Sequence, residues 1–239
     1  MVGKKKTWAI GALAMVSLLA ALGWGTRQIG RAHEFALFGE LVFHVDTDRP
    51  VVALSFDDGP TAAHTRTVLD ILEDAGVTAT FFLIGQEVEK NPAAASAIAA
   101  AGHEIGNHSY SHPHMVFMRP ARVRAELDRT DAAIRAAGYA GPIPFRPPFG
   151  WKLVVLPRVL AAEGRPMVMW SVEPESDPGR TAEELVAATL DAAGPGDIIL
   201  LHPMYAARET TRAALPAIIA GLRAKGLEPV TVGELLSDG

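Results

Sequence analysis

The chain has 239 residues, 49% of them apolar, no cysteine, and a formal net charge of -5 at pH 7. That length and apolar content suit one globular domain with an appendage and exclude a disordered chain. The missing cysteines exclude disulfides and thiolate metal sites, and the acidic balance with no long basic stripe argues against nucleic acid as a partner.

Lys4-Lys5-Lys6 precede an uncharged run over residues 7–25, flanked by Trp8 and Trp24 and followed by Arg27 and Arg31. About 17 to 25 apolar residues span a bilayer as a helix, and lysines before such a run predict that this end stays in the cytoplasm. Residues 1–25 are therefore read as a single-pass transmembrane anchor that leaves the rest of the chain outside the cytoplasm, at the cell membrane. The alternative is a signal helix cleaved after Ala21-Leu22-Gly23, giving a secreted product. Residues 26–49 are predicted to be a stalk with a short strand at Leu41-Val42-Phe43, and residues 50–239 the main domain.

From residue 51 on, short β-branched or apolar runs alternate with Ala-rich helical segments, the pattern of βαβ units around a parallel sheet. Strands are predicted at 51–56, 80–84, 103–106, 143–145, 167–170, 198–201 and 229–232. Between them, Val68, Leu69, Ile71, Leu72 and Ala75 form a helical stripe that Gly76 ends, and Asn91-Pro92 opens the next helix. Further helices are predicted over 119–137 and 153–162, behind the capping pair Thr181 and Glu184, and around Leu215, Ile218, Ile219 and Leu222.

In a parallel α/β fold, residues just after the C-terminal ends of the strands meet on one face. Here Asp57 and Asp58 follow the first strand, His108 and His112 the third, Arg146 the fourth, Glu173 the fifth and His202 the sixth. Adjacent ionised carboxylates repel, so one is read as a metal ligand and the other as a base. His108-Ser109-Tyr110-Ser111-His112 spaces two imidazoles by one helical turn. With a carboxylate from another strand they make a two-His, one-carboxylate face for Zn²⁺ or another divalent metal. His103 and His114 are read as ordinary polar residues and His64 as a surface residue.

Taken in order, these pieces resemble the polysaccharide deacetylases of carbohydrate esterase family 4, over roughly residues 51–236. Ser55-Phe56-Asp57-Asp58-Gly59-Pro60 is similar to the family's first motif and His108-Ser109-Tyr110-Ser111-His112 to its second. Arg146-Pro147-Pro148-Phe149-Gly150 is similar to the third and Leu200-Leu201-His202 to the fifth. The resemblance implies a distorted (β/α)₇ barrel and a hydrolase that removes acetyl groups from N-acetylated sugars, with water activated by a divalent metal as nucleophile. It implies Asp58, His108 and His112 as metal ligands, Asp57 as base, His202 as acid, Arg146 as the partner of Asp57, and the Phe149 backbone N–H as oxyanion donor. Zn²⁺ is the first choice of metal, with Co²⁺, Ni²⁺ or Mn²⁺ as alternatives.

The fourth motif departs from the family pattern of two Asp three apart followed by Trp, because Glu173 and Ser176 stand at the acidic positions. Glu173 is expected to orient His202, with Asp177 as second choice. Pro148, Trp170 and Tyr205 are candidate sugar contacts. The expected partners are a glycan outside the cytoplasm, peptidoglycan or a chitin-like oligosaccharide, and the membrane through the N-terminal helix; no protein partner follows from the sequence. The alternatives are the same machinery acting on O-acetyl esters or a small amide, and an inactive glycan-binding protein.

Overall fold

The computed structural model describes residues 2–177 and 179–237, with side chains described from residue 15. The chain opens with α1 (Val2–Arg31) and β1 (Leu41–Val42), then β2 (Val51–Asp57), α2 (Thr65–Ala75), β3 (Thr80–Leu83), α3 (Gly85–Lys90) and α4 (Pro92–Ala100). It continues through β4 (Glu104–Asn107), α5 (Pro120–Ala136), α6 (Val155–Ala162), β5 (Met167–Val168), α7 (Ala182–Ala192), β6 (Ile198–Leu201), α8 (Glu209–Ala224), β7 (Glu228–Val230) and α9 (Val232–Leu236).

β2 is the hub of the sheet, and all seven of its residues are buried, as expected of a parallel strand covered on both faces. It pairs in parallel with β3, β6 and β7, and β3 pairs with β4. Alternation of side chains along β2 divides the core. Val52, Leu54 and Phe56 join Leu72 of α2, Ile98 of α4 and Ile218 of α8 in one apolar cluster. Val51 and Ala53 join Phe82, Phe145, Met167 and Leu200 in a second.

The predicted parallel sheet is present, with differences at its weaker strands. The stretch predicted as a fourth strand contributes only Phe145, which bridges Asn107 on one side and Met167 on the other. β5 is cut to two residues and pairs with β1. β7 stops at Val230 because the Thr231 hydroxyl accepts the Glu234 N–H at 3.1 Å and starts α9. Strand ladders thus run continuously over five strands and reach the β1–β5 pair through Phe145, with a further bridge from Val172 to Ile199.

Among the described residues no helix is long and apolar enough to cross a membrane. Residues 4–14, which hold the lysines, Trp8 and the first half of the predicted anchor, lie outside the described side chains. Much of the predicted stalk is fastened to the domain instead of hanging free. The Lys152 N–H donates to the Gly30 carbonyl at 2.9 Å, and its buried ammonium reaches the Ala32 carbonyl. β1 pairs with β5, and the Val45 N–H donates to the Gly196 carbonyl at 3.0 Å.

Candidate active site

Asp57 shares the face of β2 that carries Val51 and Ala53, so it leaves the strand at the end of the second apolar cluster, only 2% exposed. The fully buried Arg146 follows the Phe145 bridge. Its Nη1 donates to Asp57 Oδ1 at 2.7 Å, its Nη2 to the Met169 carbonyl at 3.0 Å, and its guanidinium lies over the Phe82 ring. Burial opposes ionisation of Asp57, but Arg146, with His108 and His202, outweighs it and holds the carboxyl below its usual range.

Asp58 turns out of the strand with φ 71°, a left-handed conformation that short polar residues tolerate. Its Oδ1 is 3.3 Å from His112 Nε2 and 3.8 Å from His108 Nε2, and it is buried with no hydrogen-bond partner among the described residues. His108 Nδ1 lies 2.8 Å from the Arg146 carbonyl, an acceptor only. Nδ1 therefore carries a proton, and Nε2 is the ring nitrogen that faces Asp58. Burial, then the neighbouring His108, lowers the His112 pKa to about 4, so this imidazole is neutral at pH 7. One donor atom each from Asp58, His108 and His112 lie within 4.8 Å of one another. An orphaned carboxylate oxygen facing two imidazole nitrogens is a donor set that fits a divalent cation.

β6 delivers His202 to the same end of the sheet. Its Nδ1 is 2.8 Å from Glu175 Oε2, and its backbone N–H donates to that same oxygen at 2.8 Å. Glu175 Oε1 accepts the Thr211 hydroxyl and lies 3.7 Å from Arg208. Burial works against a charged His202, yet Glu175 and then the Asp57 charge raise its pKa above the ordinary value. Phe149, at φ 57° and 51% exposed, lies edge-on to His112 at 4.6 Å between ring centroids.

Four expectations change. Glu173 does not hold His202: it accepts the Trp170 indole N–H at 3.1 Å, and the contact expected of it belongs to Glu175, carried inward by the 3₁₀ turn Pro174–Ser176. Asp177, the second choice, is exposed beside Arg180. Trp170 is 7% exposed under the His33 ring, so it packs in the wall and offers no open face to a sugar. His108 and His112 converge without a helical turn, through a loop in which Ser109 and His112 have positive φ. Pro148 is buried, while Tyr205 is half-buried and near enough to Asp58 to feel its charge. His103 is buried against Phe81 far from these groups, whereas His114, read as an ordinary polar residue, stacks on Phe149 at 4.2 Å.

Residues 44–166 match the family model described as polysaccharide deacetylase. The chain is 35% identical over 188 residues to the peptidoglycan-N-acetylglucosamine deacetylase PgdA of Listeria monocytogenes; the match takes in 78% of this chain and 39% of that protein, well under half its length. The solved structure of the Bc1960 peptidoglycan N-acetylglucosamine deacetylase superposes with a TM-score of 0.77 at 34% identity, covering 82% of this chain and 92% of that one. A CE4 family pseudoenzyme from Bacillus anthracis superposes with a TM-score of 0.73 at 28% identity, covering 82% of this chain and 68% of that one. With half of the sequence matched by the family model and the fold shared with these relatives, the chain belongs to the polysaccharide deacetylase family.

Proposed function

We propose that the protein is a metal-dependent N-deacetylase acting on N-acetylated sugars of a cell-wall glycan, peptidoglycan first. The observation that carries this reading is the orphaned Asp58 oxygen between two imidazoles, beside the Asp57–Arg146 and His202–Glu175 pairs. The named activities of the Listeria relative and the Bc1960 structure support the choice of glycan. We read the sheet as a distorted barrel closed through Phe145 and Val172, with the paired residues gathered at its mouth.

A divalent cation held by Asp58, His108 and His112 would lower the pKa of water from about 15.7 toward roughly 7 and polarise the acetyl carbonyl. Asp57, kept ionised by Arg146, accepts a proton from the attacking water. The Phe149 N–H is the donor assigned to the oxygen that gains charge as the carbonyl carbon becomes tetrahedral. His202, steered by Glu175 and inclined to hold its proton, passes it to the departing nitrogen. The C–N bond then breaks, leaving acetate and a free sugar amine. A base and an acid each held by a charged partner favour turnover over the inactive glycan-binding alternative, even though the family includes a pseudoenzyme.

The proposed location is the outer side of the cell membrane. Met15, Val16, Leu18, Leu19, Leu22 and Trp24 of α1 are all more than half exposed, a surface suited to lipid, and Lys4-Lys5-Lys6 precede it. Retention of the full chain in carbonate-washed membranes supports the anchor, and a shortened chain in the medium supports cleavage.

The test of function is acetate release from N-acetylated peptidoglycan and from chitooligosaccharides by metal-stripped and metal-reloaded protein, beside Asp57→Asn. Metal-dependent acetate that disappears in the variant is the expected result. No acetate from either polymer, with the fold intact, overturns the N-deacetylase reading, and release from O-acetylated glycan alone moves the substrate to an ester.

A further inference from the structure

The loop between His108 and His112 has an unusual set of partners. The Ser109 N–H donates to the Asn107 side-chain oxygen at 2.8 Å and the His112 N–H to the Ser109 hydroxyl at 3.1 Å. The two N–H groups between them, of Tyr110 and Ser111, donate to a single oxygen, Glu126 Oε2, at 2.9 and 2.8 Å. The Ser111 hydroxyl donates to the other, Glu126 Oε1, at 2.8 Å. Glu126 is 8% exposed on the face of α5 that also buries Val123, Leu127 and Thr130, and among the described residues it makes no ion pair. Burying a carboxylate without a cation is costly, and hydrogen bonds from a loop offset only part of that cost.

We propose that Glu126 is a positioning residue for the metal centre: its carboxylate fixes the loop so that His108 and His112 face Asp58, and its negative charge favours a cation there. The inference rests on the metal reading of Asp58, His108 and His112 but not on any particular substrate. From the opposite side, the Gly85 and Gln86 N–H groups donate to the carbonyls of Ser109 and Tyr110, both at 3.0 Å, so the loop is clamped between α3 and α5. Glu126 is the charged member of that clamp. Outer partners of metal ligands commonly set affinity by about 10–100-fold.

The experiment measures the Zn²⁺ dissociation constant of the metal-stripped protein by competition with a chromophoric chelator. Wild type, Glu126→Gln, Ser111→Ala and His112→Ala are compared, with metal-free thermal unfolding beside each. Glu126→Gln is expected to weaken Zn²⁺ about 10–100-fold while the metal-free protein still unfolds cooperatively, and Ser111→Ala to weaken it by a smaller factor. Wild-type affinity in a folded Glu126→Gln overturns the proposal. Should Glu126→Gln fail to fold, Ser111→Ala decides, and unchanged affinity there overturns it too. Binding no tighter in wild type than in His112→Ala overturns the metal centre together with its clamp, whereas intact Zn²⁺ effects without acetate release overturn only the deacetylase reading.

Discussion

Glu175 reaches His202 from one position before Ser176, which occupies the place of the family motif's second acid. The extra methylene of glutamate and the 3₁₀ turn over Pro174–Ser176 make up the offset. Because burial lowers the His202 pKa while Glu175 and Asp57 more than restore it, the proton that the proposed reaction takes from His202 depends on Glu175. A raised folded pKa contributes stability below the unfolded value and loses it as pH rises through the folded value. Glu175→Gln is therefore expected to move the alkaline limb of kcat/KM to lower pH, with a loss on the order of tenfold at neutral pH. Glu173→Gln is expected to move that limb far less, and an equal shift in both variants would return the role to Glu173. Asp57 gives the opposite sign, since its depressed pKa contributes stability above the unfolded value and loses it as pH falls through the folded one. Arg146→Met strips a buried carboxylate of its cation and is expected to move the acid limb upward. It should also cost about 3–5 kcal/mol in denaturant unfolding at pH 7; a change under about 1 kcal/mol would mean that Asp57 has found another partner.

Elements with long apolar runs, such as β2 and β6, were legible because a buried parallel strand has no polar face to alternate with. The stretch 143–145 was not, since one bridge at Phe145 depends on the neighbours that happen to flank it. α3, six residues long, is too short to show a helical period. The start of α9 carried a legible capping signal, Thr231 with Glu234 three residues on, but lay inside a β-branched run that reads as strand. Among site residues, Asp57, Asp58, His108, His112 and His202 stand at strand ends and were visible as such. Glu126 was not, because a lone acid on the apolar face of a helix gives no sign of the loop it meets. The short strand predicted at Leu41-Val42-Phe43 is present as β1, but the contact of Val45 with Gly196 behind it was hidden, and Gly196 measures that contact. With φ 81°, a Cβ there would meet the Val45 carbonyl oxygen at 1.9 Å, whereas at Gly226, with φ 79°, it would meet nothing within 4 Å. Gly226→Ala should cost about 1 kcal/mol from backbone strain alone, and Gly196→Ala roughly 2 kcal/mol more from the added clash. Equal losses in thermal unfolding would show that the 41–45 segment yields freely.

Across the whole molecule, the candidate metal centre joins the end of β2 to the loop after β4, so a cation bound there is linked to the folded state and not to the unfolded chain. Without it, the centre is a source of instability. Asp58 stands next to Asp57 in sequence, and its buried Oδ1 has no hydrogen-bond partner among the described residues. Such a group costs about 1–3 kcal/mol. Zn²⁺ at about a thousand times its dissociation constant is expected to add roughly 4 kcal/mol, which raises the unfolding midpoint of a chain this size by about 8–16 °C. Asp58→Asn separates the two contributions. Asparagine keeps the shape, tolerates the left-handed backbone at φ 71° and removes the repulsion with Asp57. The metal-free variant should therefore melt above metal-free wild type, while the Zn²⁺-dependent rise is mostly lost. This reversal of sign between the metal-free and metal-loaded comparisons is the mark of a site whose local strain is relieved by its ligand. A variant that melts lower in both states would instead make Asp58 an ordinary structural acid.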